Sequence, residues 1–167
     1  MVLMVYILPR VLVTKMKYMD KNKKLTGQLN HLISIAKDGA QGYENAAEDV
    51  KDVALQQMFR EYSSQRSRYA EELSKEVADL GGSPDDSGGP LGALHRTWMD
   101  IKSAITSGSR DAILKACITG EEAAVKAYTE VKEEPDLAIS TKEIISSQLG
   151  GVEAALNSIR SLVNVHD

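Results

Sequence analysis

One cysteine, three histidines, one tryptophan and one phenylalanine occur in 167 residues. A lone cysteine, Cys117, cannot close an internal disulfide or build a cysteine-rich zinc site, and a reducing cytoplasm is the compartment that fits. The histidines stand at positions 31, 95 and 166, and none has a glutamate three residues before it. The Glu-x-x-His pairs of helical dimetal centres are therefore missing. Positive charge is also short. A net charge of −4 supplies no basic field for nucleic acid. The apolar run Val2 to Leu8 is broken by Pro9 and Arg10, far short of the roughly 20 residues of a membrane span, so stable membrane insertion is not expected. It lacks the preceding positive charge and the small-residue cleavage site of a secretion signal. Residues 1–25 read as a mobile leader, or as an extension upstream of a start at Met16 or Met19. Lysines 15, 17, 21, 23 and 24 there could touch an anionic membrane, but a solvated tail is the reading they favour.

What is plentiful is helix-forming: Ala, Glu, Lys, Leu and Ser dominate. Residues 26–165 read as one domain of four long helices. The first shows Leu29, Leu32, Ile33, Ala36, Ala40, Tyr43, Ala47 and Val50 on one face, with Thr26 or Asn30 as its cap. The second shows Leu55, Met58, Phe59, Tyr62, Tyr69, Leu73, Val77 and Leu80 after a connection so short that the pair must be an antiparallel hairpin. "GGSPDDSGGP" is a loop, followed by a short helix with Leu91, Leu94, Trp98, Ile101 and Ile105. Ser109 or Asp111 can cap the third long helix, whose stripe is Leu114, Cys117, Ile118, Ala124, Val125 and Tyr128. Pro135 suits the start of the last, with Ile145, Leu149, Val152, Leu156, Ile159 and Val163. No strand pattern competes. The expectation is an all-α antiparallel four-helix bundle. Its one crossover, carrying the short helix, joins the second and third long helices in the ferritin-like manner.

Three polar residues interrupt these stripes. At 100° per residue, Glu121 lies at the centre of the third stripe, Arg66 lies inward beside Tyr62 and Tyr69, and Gln148 lies between Ile145 and Val152. A charge facing a core needs a partner or a metal. The residues themselves favour an interior Arg66–Glu121 ion pair, with Gln148 and the hydroxyls of Tyr62, Tyr69 and Tyr128 satisfying what remains. No cofactor is then expected. The alternative is an iron or manganese site with weak candidate ligands Glu44, Glu121 and His95. Glu44, however, lies roughly 75° off the centre of its stripe, and Arg66 would repel the metal. Cys117, on the buried face beside Glu121, should be a raised-pKa, unreactive thiol.

"GEEAAVKAY" resembles the third long helix of rubrerythrin-type ferritin-like proteins, where a metal-binding glutamate stands seven residues before a tyrosine, as Glu121 does before Tyr128. "RSRYAEEL" looks like the matching Glu-x-x-His helix with Arg66 and Tyr69 in the ligand places, and Ala36 takes the first helix's ligand position. More specifically, "GYENAAEDVKD", "LGALHRTWMDIKSAI", "AVKAY" and the Gly-rich loop resemble a bacterial family of ferritin-like four-helix bundles of unknown function, over about residues 29–163. The last helix of that family tends to carry a histidine near position 156, where this chain has Leu156. The resemblance implies the fold and a degenerate metal site.

With no nucleophile–base pair, phosphate loop or complete ligand set, the sequence reads as a non-catalytic interaction or stress-associated bundle. A homodimer is the symmetric default for its self-association. The rival is a di-iron or di-manganese carboxylate oxidoreductase, or peroxide scavenger, with an atypical ligand set.

Overall fold

Asp52 begins a helix by accepting, through its carboxylate, the backbone N–H groups of Ala54 at 2.9 Å and Leu55 at 3.2 Å, the arrangement that satisfies otherwise unpaired donors in a first turn. Ser109 does the same for a later helix, accepting from the Ala112 N–H at 3.3 Å. In the computed structural model, residues 2–84, 102, 103, 106 and 109–164 are described, with side chains from Arg10 to Val163. Among them are four long helices: α1 (Val2–Asp49), α2 (Val53–Asp79), α3 (Arg110–Lys132) and α4 (Ile139–Asn164).

Two boundaries differ from those expected. The helix that was to start at Thr26 or Asn30 is continuous from Val2, through Pro9. The stripe read from Leu29 marks where the helix enters the core, not where the helix begins; among the described side chains burial starts at Leu25. Thr26 and Asn30 sit mid-helix and face the end of α2 instead, the Asn30 amide donating to the Ser83 carbonyl at 3.1 Å. Pro135 likewise does not open the last helix. It lies in the turn between α3 and α4, and α4 begins at Ile139. The expected short helix, with Trp98 and His95, lies outside the described residues apart from Lys102, Ser103 and Thr106, which are helical.

The order of the helices around the bundle is fixed by their contacts. α1 packs on α2 and on α3, while α4 packs on α3 and on α2. Gln28 and Lys24 meet Glu134, and Tyr43 meets Glu121, so α1 and α3 are antiparallel. Thr141 meets Glu76 and Gln148 meets Glu72, so α2 and α4 are antiparallel too. Hence α2 and α3 run the same way, on a diagonal. The connection from Leu80 to Ser109 must join opposite ends of the bundle, the crossover arrangement.

Apolar side chains fill the two ends of the interior. Leu29, Ile33, Leu73, Val77, Val131 and Ile145 cluster at one end. Ala47, Phe59, Leu114, Cys117 and Ile159 cluster at the other. Between them lies a polar layer.

A buried ion pair as the candidate functional site

Glu121 on α3 stands one turn after Cys117 and seven residues before Tyr128, all three buried. Arg66 on α2 occupies the corresponding place between Phe59 and Leu73. The two meet. One guanidinium nitrogen, Nη2, donates to both carboxylate oxygens at 2.7 Å, with the residues only 3% and 4% exposed. The Tyr43 hydroxyl on α1 donates to the same carboxylate, and the other guanidinium nitrogen donates to the neighbouring Gln65 amide oxygen. Tyr69 presents its ring to the guanidinium at 5.5 Å from ring centre to Cζ, within the range of cation–π attraction.

Two glycines make room. A Cβ on Gly39 of α1 would sit 3.3 Å from the Arg66 side chain. One on Gly151 of α4 would fall 1.9 Å from the Tyr69 hydroxyl oxygen. At Gly151 any side chain would push Tyr69 off the guanidinium.

The electrostatics follow from burial. Burial is the largest single influence and opposes the charge on Arg66, but the Glu121 carboxylate together with Tyr43 and Tyr69 offsets it and holds the guanidinium above its usual value. Burial, helped by the same carboxylate, pushes the Tyr43 hydroxyl well above the usual tyrosine range. Burial first, and Glu121 second, push the Cys117 thiol up to about 12. It is a protonated, sheltered thiol, not a nucleophile.

A second polar level lies toward the other end of the bundle. The Tyr128 hydroxyl donates to the Gln148 side-chain oxygen at 2.9 Å. The Gln148 amide donates to the exposed Glu72 carboxylate at 2.8 Å and to the Tyr69 carbonyl at 3.4 Å. Burial raises the Tyr128 hydroxyl above its usual value.

Among the residues singled out from the sequence, Arg66, Glu121, Tyr69, Tyr128 and Gln148 lie in this layer. Tyr62 does not act as expected. Half-buried, it lays its ring against Tyr43 at 5.3 Å between centroids and makes no hydrogen bond to the pair. Tyr69 contributes its ring and its carbonyl, not the hydroxyl bond expected of it. Glu44 is exposed, on the rim of an open groove between α1 and α2 with Ser67 and Ser74. His31 is exposed, and His95 and His166 lie outside the described residues. Tyr43, Gln65 and Glu72 were missed. Tyr43 had been assigned to the apolar stripe, and only its hydroxyl, at the level of Glu121, hinted otherwise.

These residues do not fit a dimetal centre. Both Glu121 oxygens face a guanidinium that stays charged at any ordinary pH. The positions that the family resemblance assigns to further ligands hold Ala36, Tyr69 and Leu156, none a carboxylate or imidazole. Among the described residues no group of three or more His, Cys, Asp or Glu is placed to hold a metal ion.

Residues 24–134 match the family described as a domain of unknown function, DUF2383. The chain belongs to that family. No curated protein matches it. In fold, this DUF2383 protein is similar to Desulfovibrio desulfuricans bacterioferritin, a protein whose structure was solved with its diiron site in different catalytic states. The TM-score is 0.72 at 16% identity, over 88% of this chain and 82% of that one. It is also similar to a mutant of Mycobacterium smegmatis Dps1, with a TM-score of 0.69 at 17% identity, over 86% of this chain and 97% of that one. The DUF2383 chain is thus a ferritin-like four-helix bundle.

Proposed function

We propose that this protein is a non-catalytic ferritin-like bundle in which an ion pair has replaced a metal centre, and that it acts through protein contacts as a self-associating subunit. The observation that carries this reading is the Arg66–Glu121 pair. A guanidinium donates to both oxygens of Glu121, the one acidic residue buried at mid-bundle among the described residues, in a fold shared with a diiron bacterioferritin. Nature's usual requirement for such a metal is a set of several carboxylates and imidazoles; here the cation is built into the chain. The pair fixes which residues of the diagonal helices α2 and α3 turn toward each other across the core, a role in specificity that buried ionic groups serve in other proteins.

Elemental analysis tests it. Untagged protein from iron- and manganese-supplemented medium should carry less than about a tenth of a metal ion per chain, since a carboxylate already held by arginine has little affinity left. Near-stoichiometric iron, manganese or zinc would overturn the reading in favour of an atypical oxidoreductase, and oxygen and peroxide turnover would then be measured.

A further inference from the structure

The first helix outruns the bundle. Among its described side chains Leu25 is the first buried one, and those from Arg10 to Met19 are exposed. Six large apolar residues there, Val11, Leu12, Val13, Met16, Tyr18 and Met19, are between 58% and 64% exposed. A soluble domain rarely leaves so many together in water without a use for them.

The charge on this arm is equally one-sided. Residues 10–24 carry six cations and a single acid, Asp20, for a net charge of +5 on a chain whose total is −4. On a helical projection, Arg10, Lys17, Lys21 and Lys24 fall within about 60° of one another. Leu12, Met16 and Met19 fall within a similar arc centred about 140° away. Lys21 and Lys24 bind Asp136 at 3.0 Å and Glu134 at 2.8 Å, in the turn between α3 and α4. Those bonds tie the base of the arm to one end of the bundle. Beyond them Arg10, Lys15 and Lys17 extend into solvent.

We infer that this arm docks the protein on the surface of an anionic lipid bilayer. An interfacial helix lies in the plane of the membrane with its apolar arc below the headgroups. Its lysines and arginines reach along their own stems toward the phosphates. The arm has both parts: Leu12, Met16 and Met19 lie on one arc and Arg10 and Lys17 lie across from it, while Lys15 stands at the edge of the apolar arc and Lys23 within it near the base of the arm. Its cations set it against pairing with a second copy of itself, because Arg10, Lys15 and Lys17, beyond the Lys21 and Lys24 bridges to the bundle, would face the same cations of that copy. Its apolar arc has no use on a nucleic-acid backbone. The helix does not cross: no described helix is long and apolar enough to span a membrane.

The test is co-sedimentation of the full-length protein with vesicles. Vesicles of phosphatidylcholine with about a third phosphatidylglycerol should bind it, with affinity at least about ten-fold lower for pure phosphatidylcholine or in about 0.5 M salt. The variant Lys15→Glu/Lys17→Glu should weaken binding by about ten-fold or more, and Leu12→Asp/Met16→Asp should do likewise. Both should leave thermal unfolding of the bundle unchanged, because these side chains are exposed. Absent binding, or equal binding to neutral and anionic vesicles, overturns the inference. So does a wild type that ignores vesicles while Leu12→Asp/Met16→Asp turns an oligomer into a monomer, which would assign the arm to a second copy.

Discussion

The interior has two polar levels, and they are built on opposite terms. At one, Arg66 and Glu121 are sealed from water and carry charges whose hydrogen-bond partners, among the described residues, are each other, Tyr43 and Gln65. At the other, Tyr128 and Gln148 are neutral, and their chain of hydrogen bonds leads out to the exposed carboxylate of Glu72. A sealed charge has no fallback when its partner is lost, whereas a neutral relay ending at solvent can be re-satisfied by water. The first level should therefore be brittle and the second tolerant. Tyr69 joins them, its ring on the guanidinium and its carbonyl on Gln148.

The largest effect expected is at Glu121. Glu121→Gln keeps the shape but leaves Arg66 charged and buried without a counter-ion, and should lower stability to urea by about 3–5 kcal/mol. Replacing both partners, as in Arg66→Met/Glu121→Leu, should return most of that loss, since removing the pair removes its desolvation penalty as well. A single variant that unfolds like wild type would mean that water reaches the pair.

How much of this was legible in the sequence depends on the kind of feature. Helical stripes gave away four amphipathic helices, and the order of loops gave away the crossover, because packing follows period and connection length. Arg66 and Glu121 were legible as interruptions, since a charge at the centre of an apolar stripe stands out. Tyr43 was not, because phase angle places a ring in the core without saying where its hydroxyl points. Glu72 was missed for the opposite reason: it sits on the solvent side and reaches Gln148 by the length of its side chain. The start of α1 was misplaced because sequence period reports burial, and residues 10–24 of that helix bury no side chain that a period could mark. Only the structure showed that exposed residues 10–24 continue the same helix.

The neutral level supplies the next test. Gln148→Leu removes the acceptor of the Tyr128 hydroxyl while leaving Glu72 in water, and should lower stability by about 1–2 kcal/mol in the same urea titration. That is smaller than the effect of Glu121→Gln. A loss as large as that of the ionic variant would erase the distinction between the two levels.

The smallest effect concerns Cys117, which reports how well the ionic level is sealed. Its thiol titrates near 9.0 when unperturbed and near 12 in the fold, held up by burial and by the Glu121 charge. Below pH 9 both folded and unfolded chains keep the proton, so the thiol contributes its full share of stability and no pH dependence. Above it the unfolded chain releases a proton that the folded chain retains, so stability falls as pH rises toward 12. From pH 8 to pH 10 the wild type should lose about 1 kcal/mol more than Cys117→Ala. Subtracting the variant removes any constant packing cost and the contributions of Tyr43 and Tyr128, whose hydroxyls ionise in the unfolded chain only near pH 10. Equal slopes for the two proteins would mean that the thiol ionises as easily folded as unfolded. The wall of apolar side chains around the ion pair would then be open to water on that side, and the sealed level would be no more closed than the neutral one.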